Sequence, residues 1–486
     1  MSCKRLLLLH TALFLYLAIP FVCQGQCFPG QPTTAAYATG GSSPYIGDVL
    51  WLTWGTTNLS QIGAHPYGWH DRPLGNGSAS YASIPLGSGR YLCVEAFISN
   101  LRDGGINSYA PGNWTGDYMD DLYNIGGTGS ANDLVNGIRN TTVGGRASFT
   151  VTCRATLDGA PVRLAGLVLG DAESLHPNEY FNVIADGKWT IVELQKNLAV
   201  TDRTYDVSKT NEPGTSRQRI NFLRGTNSNT AAVSFLAFNE SAYGDGYEVS
   251  FDVTLKGEGL TALALGLLTI NADGGDAPQS YGAPLHLFEG MVLTDDGIDV
   301  GQTVNLNTAS YHPGALEYAA STYLGSTGPD ADNGPLHSQD ALGDDNAPVP
   351  SNEEDAWPST YKQIYYEHHY MPGDILSIDI PYSGEANGYV TGWIDFNLNG
   401  TFDADEFVWT NAPANPNGIA TLIWTVPQNR VIRNTYIRLR YGSNWSEVSS
   451  PINVATGGEV EDHLIHITFP VMTNPMLPSK VKPNSG

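Results

Sequence analysis

Apolar and polar residues alternate along much of the chain, which is the pattern of half-buried β-strands. Residues 246–259 give the clearest case, because one face of the predicted strand is apolar and the other is polar. The apolar face carries Tyr247, Val249, Phe251, Val253 and Leu255. A period of two over this length predicts a strand with one side against a core. In residues 183–194, Asp186-Gly187 lies between two apolar runs, which predicts a β-hairpin.

Such strands recur before residue 271 and again after residue 352, whereas no segment of twelve or more residues has a persuasive helical period. Many one-faced strands predict an all-β fold, with a large two-sheet sandwich of jelly-roll type followed by a smaller sandwich. The intervening segment is rich in Gly, Pro and Asp, so we expect it to connect domains without a core of its own. The predicted order is signal peptide 1–25, large sandwich 26–270, acidic connector 271–352, smaller sandwich 353–469 and tail 470–486.

The first residues have the pattern of a secretory signal. Lys4 and Arg5 precede an apolar run of 17 residues, and small or polar residues follow at "CQGQ". Cleavage is expected after Gly25. A single membrane span is the alternative, since the run is at the short limit for crossing a bilayer and no second run follows. We therefore expect an exported mature chain without a transmembrane segment.

The charge of the chain narrows the choice of partners. Removal of residues 1–25 takes away two basic residues and no acidic one, so the formal net charge changes from −25 to −27. Such a chain repels nucleic acid and anionic membranes, and it has no basic block. Its paired acidic residues instead suit divalent cations.

Three cysteines remain after cleavage at Gly25, namely Cys27, Cys93 and Cys153. They allow three different single disulfides, among which the sequence alone cannot choose. Cys153 lies in an alternating strand pattern and falls on its apolar face. The pairing that we favour is Cys93 with Cys153, and the alternative is a buried free thiol.

Residues 393–407, "WIDFNLNGTFDADEF", contain the pattern of a calcium-binding loop. The predicted ligands occupy positions one, three, five, seven, nine and twelve of the loop, with Gly400 at position six. They are Asp395, Asn397, Asn399, Thr401 through its backbone carbonyl, Asp403 and Glu406. The flanking residues alternate as strands, so we predict a structural Ca²⁺ loop that joins two strands without helices. An Asx-rich hairpin whose side chains bond only their own backbone is the alternative.

The region from 353 to 469 resembles the bacterial GEVED domain. The resemblance rests on the loop above, on "GIATLIWTVP" and "TYIRLRYG", and on the pentapeptide at 458–462 within "GGEVEDHLIHI". One departure is His463, where that family usually carries tyrosine.

Residues 27–270 resemble the non-repetitive adhesive domain of CshA-type fibrillar adhesins. The resemblance rests on "QCFPGQPTTAAYATGGSSPY", "GSASYASIPLGSGRYLCVEAFISNL", "SYAPGNWTGDYMDDLYNIGGTGS" and "LAGLVLGDAESLHPNEY". It implies a lectin-like sandwich on a secreted or cell-surface bacterial protein that attaches to an extracellular protein or glycan. It identifies no ligand-binding residue.

Two further groups of residues allow a functional or a structural interpretation. Asp171, Glu173, His176 and Glu179 could form the rim of a metal or ligand site, or an ordinary polar loop. Trp51, Trp54, Trp69 and Trp114 could stack on sugars, although tryptophan in a sandwich more often belongs to the core.

Catalytic motifs are missing from the sequence. There is no E-x-D-x-x-E strand, G-x-S-x-G, H-E-x-x-H or glycine-rich phosphate loop. We therefore expect an adhesin-like binding protein with no enzymatic activity. A secreted carbohydrate-active enzyme and a structural fibril subunit are the alternatives.

Overall fold

A computed structural model describes the chain in seventeen stretches. The predicted signal peptide (1–25), the tail (470–486), Trp69 and Trp114 lie outside them. The described residues are 27–28, 35–55, 70–86, 90–113, 117–125, 134–173, 175–196, 206–223, 230–244, 246–288, 290–293, 297–305, 316–332, 336–343, 353–365, 373–428 and 433–468.

The fold is all-β, as predicted, and the part before residue 271 is a large sandwich. Its one short α-helix in the described residues is α1 (Met119–Leu122), and Glu240–Ala242 form a 3₁₀ turn. Its strands are β1 (Ala36–Tyr37), β2 (Val49–Trp51), β3 (Pro73–Leu74), β4 (Ala79–Pro85), β5 (Tyr91–Arg102), β6 (Ile106–Tyr109), β7 (Gly137–Asn140), β8 (Arg146–Leu157), β9 (Ala160–Val162), β10 (Gly166–Asp171), β11 (Tyr180–Ala185), β12 (Gly187–Lys196), β13 (Asp206–Asn211), β14 (Gln218–Leu223), β15 (Thr230–Phe238), β16 (Val249–Lys256) and β17 (Ala262–Leu268).

These strands form two antiparallel sheets. One has the order β12-β15-β10-β17-β7-β6-β3, with β2 beside β17 and β1 beside β2. The other has the order β13-β14-β11-β16-β8-β5-β4, with β9 beside β8. Val94, Phe149 and Val253 of the second sheet share one apolar core with Leu167 and Leu265 of the first. The sandwich therefore owes its stability mainly to apolar burial between the two sheets.

The strand β17 explains an apolar run that lacks alternation. All seven of its residues are buried, because the first sheet is covered on both faces. Leu263 and Leu265 face the shared core, whereas Ala262 and Ala264 belong to a second cluster that also contains Met119 of α1. Trp51 and Trp54 are buried as well, so for these two residues the core interpretation is confirmed.

The predicted hairpin at Asp186-Gly187 is wrong. The strand before this dipeptide, β11, pairs with β14 and β16 in one sheet, whereas β12 pairs with β15 in the other. The dipeptide therefore carries the chain from one sheet to the other. A Cβ atom on Gly187 would lie 2.0 Å from the carbonyl oxygen of Ala237, so the close approach of that backbone requires glycine here.

The predicted Cys93–Cys153 disulfide is also wrong. Cys27 bonds to Cys93, with their Cα atoms 5.6 Å apart, and Cys153 is a buried free thiol. In the β5–β8 pair, Cys93 is opposite Thr156 and Cys153 is opposite Ala96. This offset is an odd number of residues, and successive side chains of a strand point to opposite faces of the sheet. The thiol of Cys153 therefore points into the core, while Cys93 lies on the other face.

The predicted connector contributes strands to its surroundings. Gln279–Tyr281 form a 3₁₀ turn, and β21 (Thr303–Asn305) extends the second sheet of the large sandwich beside β13. Leu285 and Leu287 pack in a small apolar cluster with Leu157 of the large sandwich. The segment thus packs against its neighbours in addition to linking them. Its strands are β18 (Ala272–Gly274), β19 (Leu285–Leu287), β20 (Gly290–Leu293), β21 (Thr303–Asn305), β22 (Leu316–Ala319) and β23 (Thr322–Leu324).

The smaller sandwich follows, with the short helix α2 (Trp445–Val448) and a 3₁₀ turn at Ser359–Tyr361. Its strands are β24 (Gln363–Tyr365), β25 (Ile375–Gly384), β26 (Gly388–Ile394), β27 (Phe407–Ala412), β28 (Asn415–Thr425), β29 (Asn434–Gly442), β30 (Val454–Thr456) and β31 (Glu459–Thr468). One sheet has the order β24-β31-β29-β26-β27, and β25 lies between β23 and β28 in a second sheet. Ile378 and Leu422 of the second sheet share a core with Leu439 and Ile465 of the first. Two strands from the predicted connector join this region, since β23 pairs with β25 and β19 pairs with β30.

Candidate calcium loop and the buried charges around it

The loop at 395–406 connects two neighbouring strands of one sheet. Trp393 at the end of β26 is paired with Phe407 at the start of β27, and the residues between them contain no helix. This confirms the predicted placement between strands. Leu398 and Gly400 have φ angles of 59° and 82°, which lie in the left-handed region. Glycine at position six therefore meets a backbone conformation that other residues adopt at a cost.

Two buried carboxylates, Asp395 and Glu406, form the inner part of the loop. Asp395 accepts hydrogen bonds from the backbone N–H groups of Leu398 at 2.5 Å and Gly400 at 3.1 Å. Glu406 accepts from the N–H groups of Phe396 at 2.8 Å and Asp403 at 3.0 Å. Burial, together with the charge of Asp395, raises the pKa of Glu406 to about 7.

The outer part of the loop consists of the other predicted ligands. The amide groups of Asn397 and Asn399 donate to the Asp403 carboxylate at 2.9 and 2.7 Å. These bonds lower the pKa of Asp403. The hydroxyl of Thr401 donates to the side-chain oxygen of Asn399 at 2.7 Å.

The donor set of the loop fits a calcium ion. All six predicted residues offer oxygen atoms, which Ca²⁺ prefers. Two of the carboxylates are buried side by side, and a dication between them would offset their repulsion. The same oxygens also accept hydrogen bonds from the loop itself, as the Asx-rich alternative requires. Calcium binding therefore stays a prediction.

Tyr281 of the predicted connector packs directly on this loop. Its hydroxyl donates to Asp395 at 2.7 Å, and its ring lies 4.7 Å from the ring of Phe402 and 5.0 Å from that of Tyr436. This hydrogen bond attaches the loop to the segment around Tyr281, which precedes the smaller sandwich. The sequence carries no local signal for this contact, because 114 residues separate the two partners.

The pentapeptide at 458–462, at the start of β31, holds three chain segments that precede β24. Gly458 has a φ of 83°, and a Cβ atom there would lie 1.9 Å from the carbonyl oxygen of Tyr441. The three acidic side chains that follow are fully buried, and each accepts a backbone N–H from a segment before β24. These bonds join Glu459 to Leu324, Glu461 to Ala356 and Asp462 to Ala277. The acidic residues of the motif therefore serve as buried acceptors for backbone groups.

Two buried arginines on β29 complete the network. Arg438 donates through Nε and Nη2 to both carboxylate oxygens of Asp462, and neither side chain is exposed. Arg440 donates to Nε2 of His286 at 2.9 Å, while Nδ1 of His286 lies 3.0 Å from the carbonyl oxygen of Gly457. Burial and the charge of Arg440 place the pKa of His286 well below its usual range. The neutral ring therefore carries its proton on Nδ1 and accepts through Nε2.

Sequence reasoning missed a second cluster, formed by Glu354, Glu461 and His463. A search of the described residues for three His, Cys, Asp or Glu side chains with all ligand atoms within 4.8 Å of one another gives this cluster. Nε2 of His463 is 2.9 Å from Glu461 Oε2 and 3.8 Å from Glu354 Oε2. All three side chains are buried. The available signal was the Glu-x-His spacing in β31, which puts two side chains on one face of a strand.

The acidic residues at 171–179 divide into two parts. Glu179 accepts backbone N–H groups from His176, Glu258 and Gly259, so it fixes the conformation of a polar loop. Asp171 and Glu173 lie near each other, and burial together with neighbouring carboxylates raises the pKa of both, to about 9 for Glu173. Among the described residues, no three of Asp171, Glu173, His176 and Glu179 bring their ligand atoms within 4.8 Å of one another.

A crevice of about 590 Å³ lies between the large sandwich and later segments of the chain. Phe238, Tyr243 and Tyr247 line it from the large sandwich, and the Arg163 guanidinium lies 4.5 Å from the centre of the Tyr243 ring. Phe288 lines it from the predicted connector. The volume is in the range of small-ligand sites, and ring faces beside polar groups are typical of such sites.

Comparisons with known proteins agree with both resemblances. Residues 47–268 match the family model described as "Surface adhesin CshA non-repetitive domain 2", and residues 389–466 match the GEVED domain. No curated protein matches the chain. None of the described helices is long and apolar enough to span a membrane.

One solved structure that aligns with the chain is the N-terminal domain of the Streptococcus gordonii adhesin Sgo0707. The identity is 9%, the TM-score is 0.27, and the alignment covers 90% of this chain and 88% of that one. A score this low carries no argument about fold or function. The family matches are the stronger finding: residues 47–268 are similar to the CshA-type surface adhesin non-repetitive domain 2, and residues 389–466 are similar to the GEVED domain.

Proposed function

We propose that the protein is a secreted or cell-surface bacterial adhesin that attaches to a host-matrix protein or a glycan. The observation that carries this proposal is the match of residues 47–268 to a domain of a surface adhesin. The matched residues cover most of the large sandwich, so we assign ligand binding to that part of the molecule. The description of the first family as a surface adhesin supports a binding function.

The crevice beside the large sandwich is where we expect the ligand. Its rings suit stacking against a sugar or an aromatic side chain, and Arg163 adds a charged group at the wall. Tyr247 is 48% exposed, so part of its ring is accessible to a ligand. The smaller sandwich then serves as a stalk or accessory module, which we propose is stabilised by calcium at residues 395–406.

Binding of the full chain to a glycan array and to immobilised matrix proteins tests the proposal. We expect saturable binding to at least one ligand, and we expect Tyr247→Ala to weaken that binding. Val143→Ala is the matched control, because Val143 is an exposed apolar residue of the same sandwich that does not line the crevice. Equal effects of the two variants would exclude the crevice while leaving the adhesin proposal intact.

Two other outcomes would contradict the adhesin proposal itself. Release of sugar from a polysaccharide panel would indicate a carbohydrate-active enzyme. Self-assembly into fibrils without binding to any array component would indicate a structural subunit.

A further inference from the structure

We propose that Glu354, Glu461 and His463 bind a divalent transition-metal ion of the Zn²⁺ type. The site would be independent of the calcium loop and of the ligand-binding function proposed above. It lies where the residues before β24 cross β31, in the core of the smaller sandwich.

The distances between the three side chains fit a metal ion. A tetrahedral zinc site with bonds of 2.0 to 2.1 Å places its ligand atoms about 3.4 Å from one another. The observed separations of Nε2 of His463 from Glu461 and Glu354, 2.9 and 3.8 Å, lie on either side of that value. Small side-chain movements would therefore complete three corners of a tetrahedron.

The charges around the cluster favour a cation. Three carboxylates, those of Glu354, Glu459 and Glu461, are buried in this region. Glu459 lies on the same face of β31 as Glu461 and is fully buried. Its Oε1 atom has no hydrogen-bond partner among the described residues. Buried carboxylates are normally paired or bound to a metal, and a dication beside Glu461 would meet this need.

The donor types select the kind of metal. One imidazole with two carboxylates suits Zn²⁺ and related ions, whereas Ca²⁺ takes oxygen ligands. The loop at 395–406 offers only oxygen donors, so the two sites are expected to differ in preference. Each would take a different ion from a mixture.

The proposed ion would attach an incoming segment to the sheet. Glu461 already accepts the backbone N–H of Ala356 at 3.0 Å, and the ring of Trp357 lies 6.4 Å from the ring of His463. A metal bound to Glu354 would add a third link between this segment and β31. We therefore expect metal binding to stabilise the smaller sandwich.

The competing explanation for the same geometry is an ion pair between protonated His463 and the two carboxylates, with no metal. The experiment is to strip the full chain with a chelator, load it with Zn²⁺, remove free metal and measure the bound metal by mass spectrometry. We expect about one zinc ion per chain. Excess Ca²⁺ should leave that zinc in place.

The variants His463→Gln and Glu354→Gln should each weaken zinc binding by more than about 100-fold, because loss of even an outer-shell partner costs 10- to 100-fold. Asp379→Asn is the control, since Asp379 is an exposed carboxylate on β25, in the other sheet of the same sandwich. Circular dichroism checks that each variant is folded. Should His463→Gln misfold, the Glu354→Gln result and the visible absorption of Co²⁺-loaded wild type decide the question. If the folded wild type holds no more zinc than the folded variants, the three side chains form an ion pair without a metal, and the proposal is overturned.

Discussion

The two sandwiches of this chain differ in the burial of their ion pairs: among the described residues, those of the large sandwich are partly exposed, whereas Arg438 and Asp462 of the smaller one form a fully buried pair. The core of the large sandwich is apolar, with Phe149, Val253 and Leu265 from facing sheets at its centre. The smaller sandwich also has an apolar core, but its sheet that contains β29 and β31 carries buried charges as well, including those of Arg438 and Asp462. These charges bind segments that lie far away in the sequence. The comparison indicates that apolar burial forms each sandwich, whereas buried polar contacts fix what docks on the second one.

This difference has an energetic consequence. An apolar core tolerates surface charge changes, because exposed ion pairs contribute about 0 to 1 kcal/mol. A buried ion pair costs much more when only one partner is removed, because a charge then remains in a medium that solvates it poorly. The smaller sandwich should therefore be the more sensitive of the two to single charge substitutions.

Removal of the Arg438 side chain is the strongest test of this comparison. Arg438→Met leaves Asp462 buried without its ion-pair partner, so we expect the smaller sandwich to lose about 3 to 5 kcal/mol of stability. Chemical denaturation of the full chain, followed by circular dichroism, measures the loss. The matched control is Arg154→Met, since Arg154 pairs with Glu95 on the large sandwich and is half exposed. The control should cost less than about 1 kcal/mol.

The double variant Arg438→Met/Asp462→Asn sharpens the same test, because asparagine removes the charge of Asp462 and keeps an oxygen acceptor for the N–H of Ala277. It removes both charges, so it should be less destabilised than Arg438→Met alone. Equal losses in the single and double variants would show that the ion pair is not the source of the effect.

The disulfide gives the next largest effect, and it concerns the large sandwich alone. The Cys27–Cys93 bond closes a separation of 66 residues, and we expect its removal to cost about 2 to 4 kcal/mol. Cys93→Ser tests this, and Cys153→Ala is the control because Cys153 is a free thiol in the core. Peptide mapping of the unreduced protein should find Cys27 linked to Cys93. A peptide that links Cys93 to Cys153 would contradict the pairing.

The sequence predicted the type of fold well, because alternation in a strand such as β16 is a local property. The alternate residues Val249, Phe251, Val253 and Leu255 face the core as the pattern requires, although Tyr247 lies outside the strand and is exposed. The hairpin at Asp186-Gly187 could not be distinguished from a crossing between sheets. Both use a glycine between two apolar runs, and the difference lies in strand pairing, which is non-local.

Register and long-range docking were beyond the sequence for the same physical reason. Alternation showed that Cys153 faces a core, but only the pairing of β5 with β8 shows that Cys93 faces away from it. The loop at 395–406 was visible because its six ligand positions lie within twelve residues. The contact between Tyr281 and Asp395 was not visible, since the chain returns to that point only in the folded protein.

Calcium at the loop is expected to have a smaller effect. Extracellular modules bind calcium with dissociation constants of about 10⁻⁴ to 10⁻³ M, so about 1 mM Ca²⁺ should stabilise the smaller sandwich by roughly 0.4 to 1.4 kcal/mol. Asp395→Ala or Glu406→Ala should abolish the calcium-dependent rise in melting temperature and leave ligand binding intact. Asp405→Ala is the control, because Asp405 lies in the same loop outside the ligand positions.

Two results would contradict this view of the loop. If the melting temperature of the wild-type chain is the same with calcium and with chelator, the loop is an Asx-rich hairpin that binds no calcium. Loss of adhesin ligand binding in a folded Asp395→Ala chain would show that the smaller sandwich takes part in recognition.

The smallest expected effect is a pH dependence that originates at His286. Its folded-state pKa is lowered, so the unfolded chain takes up the proton first as pH falls below about 6.5. The neutral ring therefore contributes stability that is present above this pH and is lost as pH falls. Between pH 7 and pH 6 the loss should be below about 1 kcal/mol.

The variant His286→Gln isolates this contribution, since glutamine keeps an acceptor for Arg440 and a donor for the carbonyl oxygen of Gly457, and it does not titrate. We expect the stability of the variant to fall less between pH 7 and pH 6 than that of the wild type, as measured by urea denaturation at each pH. The charges that face His286 are those of Arg440 and Arg438, and both disfavour its protonated form. His176→Gln is the control on the large sandwich, because His176 pairs with Glu258 at a half-exposed site. An equal pH slope in wild type and His286→Gln would mean that the buried polar network of the smaller sandwich does not keep this ring neutral.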